Sequence, residues 1–243
     1  MKKKNLLIAG AIIALSSGLQ SCGFDDDMPQ SQMRPTALVT VCPQTDKSVL
    51  LQLDNETTLN PVNMRTSPYG EKEVRALVNY TPVSEKESSN YLNVNVNWID
   101  SIRTKMPVIL KENELPDRYG NDPLEIINDW VTVAEDGYIT LRVRTLWNPT
   151  GQPHSIDLIA NQNPENPMEF ELRHNAFGDT SVTTGDALVA FNLNSMIEEK
   201  DSEVKVTLKW QSFSGEKKAE FSLSKRNSFK DLEPNTTFIN RIK

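Results

Sequence analysis

The sequence predicts an all-β protein of two domains, a five-stranded small barrel followed by a seven-stranded sandwich. Three observations carry this. From residue 36 to 223 almost every apolar pattern repeats at alternate positions, the period of half-buried strands and not that of helices. Turn signals such as Asn148-Pro149-Thr150-Gly151 and Ser212-Phe213-Ser214-Gly215 punctuate the runs. Between the two sets of strands, Gly120-Asn121-Asp122-Pro123 breaks the pattern and places the domain boundary.

The chain opens with Lys2, Lys3 and Lys4, an apolar stretch from Leu6 to Leu15, and then Ser16-Ser17-Gly18. A basic start, a short apolar core and small residues make an export signal, and the core is too short to span a bilayer. Leu19-Gln20-Ser21-Cys22 follows in the Leu-x-small-Cys order and resembles the lipobox of bacterial lipoproteins. That resemblance implies removal of residues 1–21 as a signal peptide and acylation of Cys22, which makes the lipid bilayer a partner. Each buried acyl CH₂ contributes about 0.8 kcal/mol, so several chains anchor a protein almost permanently. The alternative is a plain secretory signal with an incidental cysteine. Behind it, Gly23-Phe24-Asp25-Asp26-Asp27 resembles the surface-export signal of Bacteroidetes lipoproteins, with Asp25, Asp26 and Asp27 as its acidic run. The implied location is the outer membrane, facing the exterior; an acidic spacer facing the periplasm is the alternative. Residues 22–35 lack periodicity and are expected to form an acidic flexible tether.

In the barrel region, 36–120, the expected strands are Ala37 to Cys42, Ser48 to Leu53, Val74 to Tyr80, Leu92 to Trp98 and Pro107 to Lys111. Alternation is cleanest where Leu92, Val94, Val96 and Trp98 face one way and Asn93, Asn95 and Asn97 the other. Asp122 followed by Pro123 fits a helix N-cap with proline at the first position, for at most a short turn through Ile127. In the sandwich region, 121–243, strands are expected from Trp130 to Val133, Tyr138 to Leu146, Ser155 to Ile159, Met168 to Arg173, Leu188 to Leu193, Val204 to Trp210 and Ala219 to Leu223. Asp136-Gly137 between the first two is a strong hairpin signal.

The formal charge is -7 for the chain; residues 1–21 carry three lysines and no acid, so the mature protein is more acidic still. Phosphate recognition rests on a basic surface, and beyond residues 1–21 no cluster denser than Lys217-Lys218 or Lys225-Arg226 exists, so nucleic acid is excluded as a partner. With Cys22 lipidated, Cys42 is the only other cysteine; it ends an apolar run and fits a buried small hydrophobe better than a reactive thiol. A disulfide framework is excluded.

Several segments together resemble the NigD-like lipoproteins of Bacteroidales: Gly137-Tyr138-Ile139-Thr140-Leu141-Arg142, His154-Ser155-Ile156-Asp157-Leu158, Glu171-Leu172-Arg173-His174-Asn175-Ala176, Phe191-Asn192-Leu193 and Leu208-Lys209-Trp210. The resemblance covers nearly the whole length. It implies an OB-like five-stranded β-barrel followed by an Ig-like seven-stranded β-sandwich. It also implies a role in immunity to a bacteriocin, through gene neighbourhood alone, and it supplies no catalytic motif.

Among chemical groups, His154 and His174 could meet across a sheet and hold a metal with Asp157 or Asp179. Zinc sites use three or four ligands and usually a local pair, which is missing, so hydrogen bonds to turns are the favoured role and no metal or other cofactor is expected. No Gly-x-Ser-x-Gly elbow or glycine-rich phosphate loop occurs. The acids Glu198, Glu199 and Asp201, and Glu112 and Glu114, fit solvated loops better than a glycosidase pair. Tyr80, Tyr91 and Trp98 fit core aromatics better than a stacking platform, because Trp98 continues the apolar parity of its strand. The row Asn93, Asn95, Asn97 fits a hydrogen-bonding surface for a glycan or partner strand, or a solvated face. Asp100-Ser101-Ile102 resembles the O-glycosylation motif of Bacteroides envelope proteins, with Ser101 as acceptor. The function expected is non-enzymatic recognition of a protein or glycan at the cell surface, with bacteriocin immunity as the alternative.

Overall fold

The structure is a computed structural model that describes residues 34–83, 90–111, 114–149, 151–160, 165–198 and 202–226. Cys22, Asp25, Asp26 and Asp27 lie outside the described residues. The first five strands are β1 (Ala37–Pro43), β2 (Val49–Gln52), β3 (Thr58–Pro61), β4 (Val74–Pro82) and β5 (Tyr91–Ser101). They close a barrel in the order β1-β2-β3-β5-β4, sealed by the parallel pair β3–β5. Val39, Val41, Leu51, Leu59, Val78 and Val94 are buried inside it. The fifth barrel strand is therefore Thr58–Pro61, not Pro107 to Lys111 as the pattern predicts. Four residues are too few to display an alternation, and Pro61 stands at the strand's end, where a missing N–H breaks no ladder.

A second departure sits in β5. Its register against β4 shifts between Asn79, opposite Trp98, and Tyr80, opposite Val96, so Asn97 is an extra residue. Such a bulge flips every later side chain to the other face. Leu92, Val94 and Val96 pack on the barrel core before it, and Ile99 does so after it. Trp98 is half-buried outside that core, against the sequence expectation, while Tyr80 does pack on it.

The sandwich comprises β6 (Arg103–Lys105), β7 (Glu125–Ile127), β8 (Val133–Glu135), β9 (Tyr138–Leu146), β10 (Ser155–Ala160), β11 (Glu169–Asn175), β12 (Thr184–Asn192), β13 (Glu203–Ser212) and β14 (Gly215–Ser224). One sheet runs β6-β12-β9-β7 with β8 on β9, the other β10-β11-β13-β14. Leu141, Leu158, Phe170, Phe191 and Leu208 are fully buried between them. The chain thus enters the sandwich at Arg103, well before Gly120: β6 pairs with β12, and Val108 donates to Leu158 O and receives Ala160 N. In place of a helical turn from Asp122, Leu124 is buried and its N–H bonds Gln211 O, which draws the next residues into β7 against β9. The residues at 130–132 form a turn, and the strand there is Val133–Glu135.

The Asp136-Gly137 hairpin forms as expected, with both residues at positive φ, the twist that two-residue hairpins require. Glycine is needed at 137 for a further reason. A Cβ there lies 2.1 Å from the Asn194 amide oxygen.

Strand β1 is buried on both faces because its outward side chains meet the sandwich. Leu38 joins Ile102 and Ala190 in an apolar contact between the domains. Beside it lies a polar knot. The fully buried Arg75 donates from Nη1 to Thr40 Oγ1 (2.9 Å), from Nε to Thr140 Oγ1 (3.3 Å) and from Nη2 to Glu135 Oε1 (2.6 Å). Thr40 Oγ1 donates in turn to Asp136 Oδ2 at 2.5 Å. Arg226, beyond the last strand, forks onto Asp136 (2.5 and 2.6 Å) and Glu73 (3.0 and 3.1 Å). Tyr138 OH donates to Glu73 at 2.6 Å. Burial pushes the carboxyl of Asp136 upward against the pull of Arg226, whereas Glu73 ends below the usual range because Arg226 and Tyr138 outweigh its burial.

Removing one member of a buried pair leaves its partner's charge uncompensated, which costs roughly 3–5 kcal/mol. Arg75→Met is therefore expected to lower stability by about that much in urea unfolding, whereas Lys217→Met, which loses an exposed pair with Glu125, costs under about 1 kcal/mol. Equal, small losses in both variants refute the knot's role.

Candidate functional site

At the seam between barrel and sandwich lies a cleft of about 280 Å³, lined by Pro35 and Leu77 on one side and by Trp130, Arg142, Asp186 and Leu188 on the other. Trp130 is 55% exposed, unusual for the largest apolar side chain, and it stands on a stiff turn. Asp129 Oδ1 accepts Val131 N (3.2 Å), Thr132 Oγ1 donates to Ile127 O (2.6 Å), and Arg142 N donates to Thr132 Oγ1 (3.1 Å). Val131 is buried and pins the turn from below. The signal available in the sequence was Asn128-Asp129 before Trp130, a turn-forming pair.

The polar wall is an ion-pair array on adjacent strands. Arg142 donates from Nε and Nη2 to Asp186 Oδ2 (2.9 and 2.6 Å) and from Nη1 to Asp129 Oδ2 (2.8 Å). Arg144 donates to both oxygens of Asp186 at 2.6 and 2.9 Å. The two guanidiniums hold the Asp186 carboxyl down at about 2. Period two puts Arg142 and Arg144 on one face of β9, opposite Leu188 and Asp186 of β12.

On the barrel's outer face the asparagines form a bonded row. Asn60 Nδ2 donates to Asn93 Oδ1 (2.7 Å), and Asn97 Nδ2 to Asn79 Oδ1 (2.7 Å) and Thr81 Oγ1 (3.1 Å); Asn95 is exposed between them. Ser101, the last residue of β5, is exposed and precedes the buried Ile102. Glu114 pairs with Arg118, and Glu112, Glu199 and Asp201 lie outside the described residues.

The histidines do meet, as their strands allowed. His154 Nδ1 lies 3.0 Å from His174 Nε2, His154 Nε2 lies 3.2 Å from Asp179 Oδ2, and His174 Nδ1 lies 3.3 Å from Pro123 O. Asp157 is elsewhere, paired with Lys105 and Ser155. The chain of contacts ends in an acceptor at each side, so three protons are needed for three contacts. His174 meets its two contacts when neutral, donating from Nδ1 to Pro123 O and accepting at Nε2. Burial first, then the neighbouring His154, lowers the His174 pKa from its ordinary 6.5. Asp179 also receives Ser181 N and Asn148 N, both at 2.8 Å, which with His154 holds its carboxyl below the usual range and ties two loops together. Every ring nitrogen is thereby engaged, and among the described residues no cluster of three or more metal-ligating side chains forms.

Two family models match this chain, the NigD-like N-terminal OB domain over residues 38–102 and the NigD-like C-terminal beta sandwich domain over residues 106–223. The chain belongs to the NigD-like family. Among solved structures, a candidate toxin-related protein of Parabacteroides distasonis is 32% identical, with 77% of this chain and 92% of that one covered and a TM-score of 0.63. A NigD-like immunity protein of Bacteroides caccae is 20% identical over 77% and 96% of the two chains, with a TM-score of 0.54. A candidate lipoprotein of Bacteroides fragilis is 12% identical over 79% and 98%, with a TM-score of 0.52. The last two share the fold. No curated protein matches the chain.

The histidine pair gives this NigD-like protein a defined pH response. An unfolded His174 takes a proton as pH falls below 6.5 while the folded one resists, so this residue subtracts stability as pH drops below that value. Nitrogen NMR at pH 6 is expected to find His174 as the neutral Nδ1–H tautomer, and His174→Gln should lose less stability than wild type between pH 7.5 and 5.5. A His174 that titrates at its ordinary value overturns the assignment.

Proposed function

We propose that this NigD-like protein is a lipid-anchored, non-enzymatic recognition protein of the cell envelope, held by acylated Cys22 and displayed outward. The observation that carries recognition is Trp130, an exposed indole held on a stiff turn at the mouth of a cleft between two domains. Large apolar side chains exposed in a concavity mark binding sites. The engagement of every histidine ring nitrogen by Asp179, Pro123 or the other histidine favours binding over nucleophilic chemistry, which needs a base within reach of a nucleophile. Exposed Ser101 fits the O-glycosylation role that its motif implies. A second reading, bacteriocin immunity, is favoured by the 32% identical relative being toxin-related. Under it the exposed surface around Trp130 meets a toxin at the cell's own surface.

Cys22→Ala is expected to move the protein from the membrane to the soluble fraction; a variant that still sediments with membranes refutes anchoring. Replacing Asp25, Asp26 and Asp27 together by alanine should keep the protein in the outer membrane but shield it from protease added to whole cells. Equal cleavage of both forms refutes the export signal.

A further inference from the structure

We infer that the cleft at Trp130 takes a neutral saccharide of one or two rings. This rests on the recognition reading above and names its ligand class. The first reason is the pairing of surfaces. A sugar ring has a C–H face that stacks on an indole and a rim of hydroxyls that both donate and accept, and the cleft offers both complements. Trp130, Leu77 and Leu188 supply the apolar side. Arg142, Asp129 and Asp186 supply the polar side, fixed in place before any ligand arrives. Arg142 uses three of its N–H donors on the two carboxylates, and a guanidinium has five. Preorganised polar groups lose little freedom on binding, which is how a shallow site gains affinity.

The second reason is charge. Asp129 and Asp186 balance Arg142 and Arg144, so the array carries donors and acceptors without net charge and does not select for an ionic ligand. A nucleobase also stacks on tryptophan, but the protein's acidic excess repels the phosphates that would come with it. The third reason is size. At about 280 Å³ the cleft lies at the small end of ligand sites, too small for a helix or a strand of a partner protein.

The test uses the full mature chain carrying Cys22→Ala, so that it is soluble. Maltose, cellobiose, lactose, mannobiose and diacetylchitobiose, with sialyllactose and a digalacturonate as anionic controls, are added to about 10 mM while the indole N–H resonances are followed. Millimolar binding is the affinity such a site supports. At least one neutral disaccharide is expected to shift the Trp130 resonance, and Trp130→Ala should weaken its binding tenfold or more with an unchanged melting curve. Binding that survives in Trp130→Ala, preference for the anionic sugars, or no shift with any neutral member overturns the proposal. A photo-crosslinking residue in place of Ala187, an exposed residue of the cleft lining, in living cells separates the two levels of inference. Crosslinks to a protein without any sugar shift refute the saccharide and leave recognition standing; neither crosslink nor shift refutes both.

Discussion

The structure depends on a charge that has no water near it. Arg75 sits on a barrel strand with its guanidinium fully buried, and two of its partners, Thr140 and Glu135, belong to the sandwich. Separating the domains takes Thr140 and the Glu135 carboxylate away from that charge and leaves it Thr40, so the two halves hold one arrangement. Asp136 closes the knot. It occupies the αL position of a tight hairpin, where asparagine and aspartate are tolerated, and its carboxylate reaches Thr40 of the barrel and Arg226 near the end of the described chain. Turn chemistry and domain docking are thus served by the same residue.

Docking has a consequence for autonomy. Leu38, Thr40 and Cys42 line the outward face of β1 and are buried by the sandwich, and burial raises the Cys42 thiol well above its usual range. The barrel on its own exposes an apolar strand face, and the sandwich on its own loses the cover over Ala190 and Leu188. The cleft lies on the same seam, with Leu77 from β4 and Leu188 from β12 belonging both to its lining and to the apolar contact. Its shape is inherited from the docking of the domains. The histidine chain does a comparable task within the sandwich, where Asp179 gathers His154 and the backbone of two loops.

Much of this was legible in the residues. Period two gives strands, and nine of the twelve strand segments it predicts fall within a residue or a few of the observed ones, because alternate burial leaves its mark wherever a strand has one dry and one wet face. Asp136-Gly137 announced its hairpin, since few other dipeptides accept two positive φ angles. The barrel's closing strand was not legible, being too short to alternate, nor was β6, whose Arg-Thr-Lys has no apolar member. Trp98 misled because an inserted residue in β5 reverses parity without any change in the apolar spacing.

What the sequence determined by itself is therefore local: strand period, hairpin turns, and the family to which their order belongs. What only tertiary structure decided is which distant residues meet. Arg75 and Glu135 are 60 positions apart, Glu73 and Arg226 are 153, and His154 and His174, which meet, are 20 apart. Contacts within a strand or turn are set by backbone geometry over a few residues, which the chain encodes directly. Contacts between sheets and domains arise from the joint requirement to bury apolar faces and to leave no charge unpaired, and that requirement can be solved only for the whole chain at once.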